Sequence, residues 1–112
     1  MSDQLTQLYD EADKLKNEGN LDGAVEKLNE ALGIDENYTL AHSALAVVLQ
    51  RQGKHDEAIA HAEKVTELAP EDPFSFTAMS VTYQRAYAGT NEMSYIQKAE
   101  DAMEKSRILS QG

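Results

Sequence analysis

Gly19-Asn20-Leu21-Asp22-Gly23-Ala24-Val25 returns as Gly53-Lys54-His55-Asp56-Glu57-Ala58-Ile59, 34 residues later. An internal repeat of this length constrains the fold more than any other feature, because each copy must bury its apolar face against its neighbours. In the same register Leu15 falls on Leu49 and Tyr83, Ala12 on Ala46 and Ser80, and Leu8 on His42 and Phe76. Ala31 pairs with Val65, and Ile34 with Leu68. Within each copy the apolar residues recur three or four apart, the period of a helix with one buried face. Leu8, Ala12 and Leu15 form one stripe, and Ala24, Val25, Leu28, Ala31 and Leu32 another. Each repeat therefore reads as two amphipathic helices.

Local signals mark the joints. Gly19 and Gly53 sit where the first helix of a repeat should end in a left-handed residue, which costs least without a Cβ. Asp22 and the Asp56-Glu57 pair put negative charge in the opening turn of the second helix, against its dipole. Ala12 with Ala24, and Ala46 with Ala58, leave room for the paired helices to approach. Asp72 is a natural N-cap and Pro73 suits a first helical position. The position equivalent to Pro70 in the first repeat is Glu36. The third repeat departs most: Tyr87 takes the glycine position, Ala88-Gly89-Thr90-Asn91 reads as a longer turn, and Ile96, Ala99, Ala102 and Met103 align only after a three-residue insertion. The expected helices span 3–18, 22–33, 38–52, 56–68, 73–87 and 92–109.

A 34-residue period with small, aromatic and glycine positions in this order resembles the tetratricopeptide repeat. The second repeat keeps the pattern best, through Leu45-Ala46, Leu49, Gly53, Ala58-Ile59, Val65 and Pro70. The resemblance implies an all-α fold of three helical hairpins stacked in a right-handed superhelix. It forms one domain over 1–112, with repeats at about 5–38, 39–72 and 73–109. It also implies a concave groove lined by the first helices, a surface that family members use to bind peptides. The groove positions are Thr6, Tyr9, Asp10, Asp13, Lys16 and Asn17 in the first repeat. They are Leu40, Ser43, Ala44, Val47, Gln50 and Arg51 in the second, and Phe74, Thr77, Ala78, Val81, Gln84 and Arg85 in the third. One subclass grips the C-terminal carboxylate of heat-shock chaperones with Lys, Asn and Arg at positions occupied here by Tyr9, Asp13, Ala44, Phe74 and Ala78. None matches, and Asp13 would repel a carboxylate, so that ligand is not expected.

What remains is an apolar strip of Leu40, Val47, Phe74 and Val81, with Tyr9 beside it and Ser43, Thr77 and two alanines giving space. The expected occupant is a peptide segment with apolar anchors. Arg51 and Arg85 stand at equivalent positions, and each is expected near a helix end, where the dipole favours a cation. With Lys16, one position earlier in the first repeat, they are expected either to form a small basic ladder able to hold an acidic partner residue or simply to answer the dipole.

Charge narrows the partners. The chain carries 20 acids against 10 Lys and Arg, a net of −10, which opposes binding to phosphate backbones. A neutral or basic polypeptide fits better than nucleic acid. The acid is concentrated at the N-terminal end: residues 1–38 carry ten acids and three lysines, whereas residues 73–112 balance at four and four. No apolar run approaches the roughly 20 residues of a membrane span, and Met1-Ser2-Asp3-Gln4 leads into patterned helix, so neither membrane insertion nor a secretory leader is expected. The absence of cysteine excludes disulfides and thiolate metal sites and fits a cytoplasmic protein.

Catalysis finds no foothold, and no cofactor or metal is expected. His55 and His61 are six apart, off a common helical face, and His42 takes a packing position. The rival to peptide binding is self-association. The last helix carries Met93, Tyr95, Ile96, Met103, Ile108 and Leu109, more apolar surface than one neighbour covers, with no further helix after it. A homodimer through residues 87–109 is the alternative expectation, since the acidic N-terminal end would repel its copy.

Overall fold

The computed structural model describes residues 2–111; Met1 and Gly112, the outermost residues of the expected domain, lie outside the described residues. Six helices run as α1 (Ser2–Asn17), α2 (Leu21–Ile34), α3 (Thr39–Arg51), α4 (His55–Leu68), α5 (Pro73–Thr90) and α6 (Ser94–Gln111). There is no strand among the described residues. The helices pair in order as three hairpins, and each hairpin packs on the next through α2 against α3 and α4 against α5.

The hairpin turns follow from backbone chemistry. Gly19 and Gly53 adopt φ of 86° and 78°, and each is followed by a return bond. Asn20 N–H donates to Leu15 O at 2.8 Å, and Lys54 N–H to Leu49 O at 2.9 Å. This six-residue closure satisfies carbonyls that the helix end would otherwise leave open. Asn20 then caps α2 by accepting from Gly23 N–H, and Asp72 caps α5 by accepting from Phe74 N–H.

The third hairpin corrects the expected boundaries. α5 does not end at Tyr87 but continues through Ala88, Gly89 and Thr90, which had read as turn. The left-handed residue is displaced to Asn91, at φ 60°, whose N–H donates to Tyr87 O at 2.7 Å. Asparagine tolerates that conformation better than other side chains bearing a Cβ. Gly89 lets the tip of the His55 imidazole, at the start of α4, lie against the α5 backbone, and a Cβ there would make that ring turn aside. The extra turn absorbs the three-residue insertion.

Apolar packing is concentrated in the first two hairpins. Leu28, Leu45 and Val48 are buried to within 1% of exposure, among Leu5, Ala12, Ala24, Ala31, Ala41, Leu49 and Ala58. The leucine and valine side chains contribute roughly 1.5–3 kcal/mol each on full burial. The third hairpin closes on small and polar groups instead. Ser80 Oγ donates to Ala99 O at 2.7 Å, and the Thr77 and Ser106 hydroxyls meet at 2.6 Å. Tyr95, expected on an exposed apolar face, is half-buried and stacks on Tyr83 with ring centres 6.0 Å apart. Its hydroxyl donates to Asp56 on α4. Burial, with the nearby Glu63 carboxylate, pushes the Tyr83 hydroxyl up to about 12.

His42 is more than a packing residue. It is 7% exposed and joins the turn before α3 to α4. Its Nε2 lies 2.8 Å from Glu36 O and its Nδ1 2.9 Å from His61 Nδ1. A carbonyl can only accept, so Nε2 carries a proton; in the neutral His42 imidazole Nδ1 then accepts, and His61 Nδ1–H is the donor. Burial and the facing His42 lower the His61 pKa below the ordinary imidazole value, with Glu57 opposing.

Two outcomes follow. Asn91→Val should cost about 1–2 kcal/mol in urea unfolding, the penalty of a branched side chain in the left-handed region, while Asn91→Gly should cost nothing. The His61 shift has a definite sign. Below about pH 6.5 the unfolded chain binds a proton that the folded chain resists, so stability is lost as pH falls from there toward the folded pKa. His61→Gln keeps a donor for His42 Nδ1 and removes this titration. Its unfolding midpoint should therefore fall less than that of the wild type between about pH 7.5 and 5.5; equal slopes would refute the assignment.

Candidate functional site

The stacking of hairpins brings α1, α3 and α5 side by side, and their shared face carries two adjoining hollows. The larger, of about 340 Å³, lies between α3 and α5. Val47 and Arg51 of α3 and Val81 and Arg85 of α5 form its rims, and Ala62 and Val65 of α4 show through as its floor. The smaller, of about 180 Å³, lies between α1 and α3 and is bounded by Tyr9, Asp13, Lys16, Ser43, Ala44 and Val47. Ser43 and Val47 belong to both. The two hollows therefore form one trough across three helices, with Val47 standing 44% exposed at its centre.

Helical periodicity explains why these side chains converge. Ser43, Val47 and Arg51 are four apart on α3, and Val81 and Arg85 four apart on α5, so each set stacks on one face. Small residues between them, Ala46 on α3 and Ala78 on α5, keep the walls low enough for α4 to form the floor.

Of the expected groove residues, Tyr9, Asp13, Ser43, Val47, Arg51, Val81 and Arg85 line the trough. Leu40 and Phe74 line neither hollow. They stand in the opening turns of α3 and α5, 51% and 78% exposed, at the opposite helix ends from the arginines. Thr77 does not open into the trough; its hydroxyl is engaged by Ser106 of α6 and Pro73 O. Arg85 was expected near a helix end, yet α5 runs five residues past it. The lining also includes Ala62 and Val65 of α4, which a groove built from first helices alone does not contain, and Ala46, Ser75, Met79 and Thr82, which lie on α3 and α5 outside the expected positions. The run of small residues at 43, 44, 46 and 78 was the available signal.

Charge along the trough is uneven. Asp13 is engaged by Lys16 at 3.2 Å, and beyond it α1 presents Asp3, Asp10 and Glu11 with Lys14 around a shallow depression. The larger hollow is lined by two guanidinium groups and no carboxylate. Among the described residues no cluster of three metal-ligating side chains occurs, and no helix is long and apolar enough to cross a membrane.

Comparison with known proteins agrees with this architecture. Several solved structures superpose over nearly the whole chain. MamA does so with a TM-score of 0.80 at 18% identity, covering 96% of this chain and 58% of MamA. A chain of the CopN–Scc3 complex gives 0.81 at 17% identity, covering 99% and 61%. The second such domain of Spaghetti (RPAP3), bound to the HSP90 peptide SRMEEVD, gives 0.77 at 16% identity, covering 95% and 92%. The chain thus spans less than two thirds of the MamA and CopN–Scc3 chains. No curated protein sequence matches. At these identities the superpositions speak for the fold alone. A family profile described as the tetratricopeptide repeat matches residues 15–75, just over half of the sequence. With three hairpins built on a 34-residue period, the chain belongs to the tetratricopeptide repeat family.

Proposed function

We propose that this chain is a non-catalytic protein–protein interaction module that seats a polypeptide segment, neutral to basic overall, in the trough across α1, α3 and α5. The observation that carries the reading is Val47: an apolar side chain, open to solvent, shared by two contiguous hollows with Val81 exposed beside it. A trough of this size takes two or three apolar anchors of a helix or extended strand. The heat-shock-chaperone carboxylate is not its ligand, because Tyr9, Asp13, Ala44, Phe74 and Ala78 supply no cation where that ligand would need one. A cytoplasmic setting, which suits a chain without cysteine, belongs to the same proposal.

Val47→Glu places a carboxylate at the junction of the hollows on an exposed position. Partners retained by the wild type in co-precipitation should bind at least about tenfold more weakly, with the helical circular-dichroism signal unchanged. Phe74→Ala, at the margin, should weaken them less. Retention of every partner by Val47→Glu would make the trough the wrong surface.

A second reading is favoured by the C-terminal hairpin, where Met93 before α6 and Ile96, Met103 and Ile108 on it remain exposed, and Ile96 and Met103 border a further hollow beside Tyr87. It makes the chain a homodimer through its C-terminal hairpin. Light scattering at tens of micromolar separates the two: a mass near 12.4 kDa excludes the dimer. A doubled mass that Met103→Glu abolishes supports it.

A further inference from the structure

We infer that the hollow between α3 and α5 reads an acidic residue set beside an apolar anchor in the bound segment, with Arg51 and Arg85 holding its side-chain carboxylate. The inference rests on the trough being the binding surface, and adds the charge and direction of what lies there.

Three observations carry it. The chain holds twice as many acids as bases, yet the lining of this hollow includes both arginines and no Asp or Glu. Of the three arginines, Arg107 is engaged by Glu104. Arg51 and Arg85 make no ion pair among the described residues. Finally, Arg85 lies five residues inside the end of α5, and the helix dipole fades beyond the last turn. The dipole accounts for Arg51, at the end of its helix, and leaves Arg85 without that explanation.

Two guanidinium groups at the edge of one hollow match a carboxylate, which each can grip through paired N–H donors. Val47 and Val81 beside them leave room for an aliphatic or aromatic neighbour. Toward α1 the trough carries the paired Lys16 and Asp13, and beyond it the surface of α1 is net negative, with Asp3, Asp10 and Glu11 against Lys14. A segment that puts its acid at the arginines therefore turns its neutral or basic part toward α1, and one orientation along the trough is preferred.

The test uses the full chain and a displayed random library of peptides of about a dozen residues. At ~3.4 Å per residue these match the 37 Å long dimension of the molecule. Selection on the wild type should enrich Asp or Glu within a few residues of an aliphatic or aromatic residue. For a selected peptide synthesised with an amidated C-terminus, Asp→Asn or Glu→Gln should weaken binding at least about tenfold, as should the Arg51→Glu/Arg85→Glu double variant. The peptide substitution leaves the protein untouched, so a folding defect cannot imitate it. Library selection on the double variant should enrich Lys or Arg instead. Peptides lost on Val47→Glu but indifferent to both charge changes would leave the trough standing and overturn the carboxylate inference. Peptides that bind Val47→Glu normally, or no enrichment at all, would overturn both. Binding that needs a free C-terminal carboxylate would overturn the side-chain recognition argued here.

Discussion

Five alanines with no exposed surface set the dimensions of this molecule. Ala24, Ala31, Ala41, Ala58 and Ala86 are wholly buried in the helix packing. A methyl group lets helix axes approach toward the short end of the usual 8–10 Å separation. A larger side chain at any of these points would act as a wedge, and cores resist added volume at a cost of about 1–3 kcal/mol. The trough depends on the same spacing. Its floor is α4 seen between α3 and α5, so its depth is set by how closely the second hairpin nests against the third.

The third hairpin reaches the same geometry by other means. Where the first two use leucine and valine, it relies on Ser80 bonded to Ala99 O, on the Thr77–Ser106 hydroxyl pair, and on the Tyr83–Tyr95 stack with Lys98 near both rings. Buried hydroxyls are tolerable only when bonded, and Ser80 and Ser106 are. Polar closure demands particular partners at particular distances, whereas apolar closure tolerates exchange of one aliphatic for another. The two tyrosines also reach back to Glu63 and Asp56 on α4, tying the last hairpin to its neighbour.

Periodicity and caps were legible because both are short-range. The 34-residue offset, the glycines at positive φ and the Asp72–Pro73 start of α5 follow from a few adjacent residues. The end of α5 was not legible. Gly89 and Asn91 form a turn signature in sequence, yet α5 runs through Gly89, whose bare backbone lies against the His55 imidazole of α4. The His42–His61 contact joins residues 19 apart, and neither histidine signals it alone. Of the trough, Val47, Val81 and the arginines could be placed by helical phase. Thr77 shares that phase but finds a hydroxyl partner on α6, an encounter that no counting of positions reveals.

Val47 has a further consequence. Valine in a helix keeps one side-chain rotamer about 90% of the time, since its branched Cβ leaves little choice. The partition between the two hollows is therefore stiff. Two side chains that fill both must straddle it at a set separation, whatever their chemical identity. The trough acts as a ruler as much as a mould: it selects on the distance between anchors before it selects on the anchors themselves.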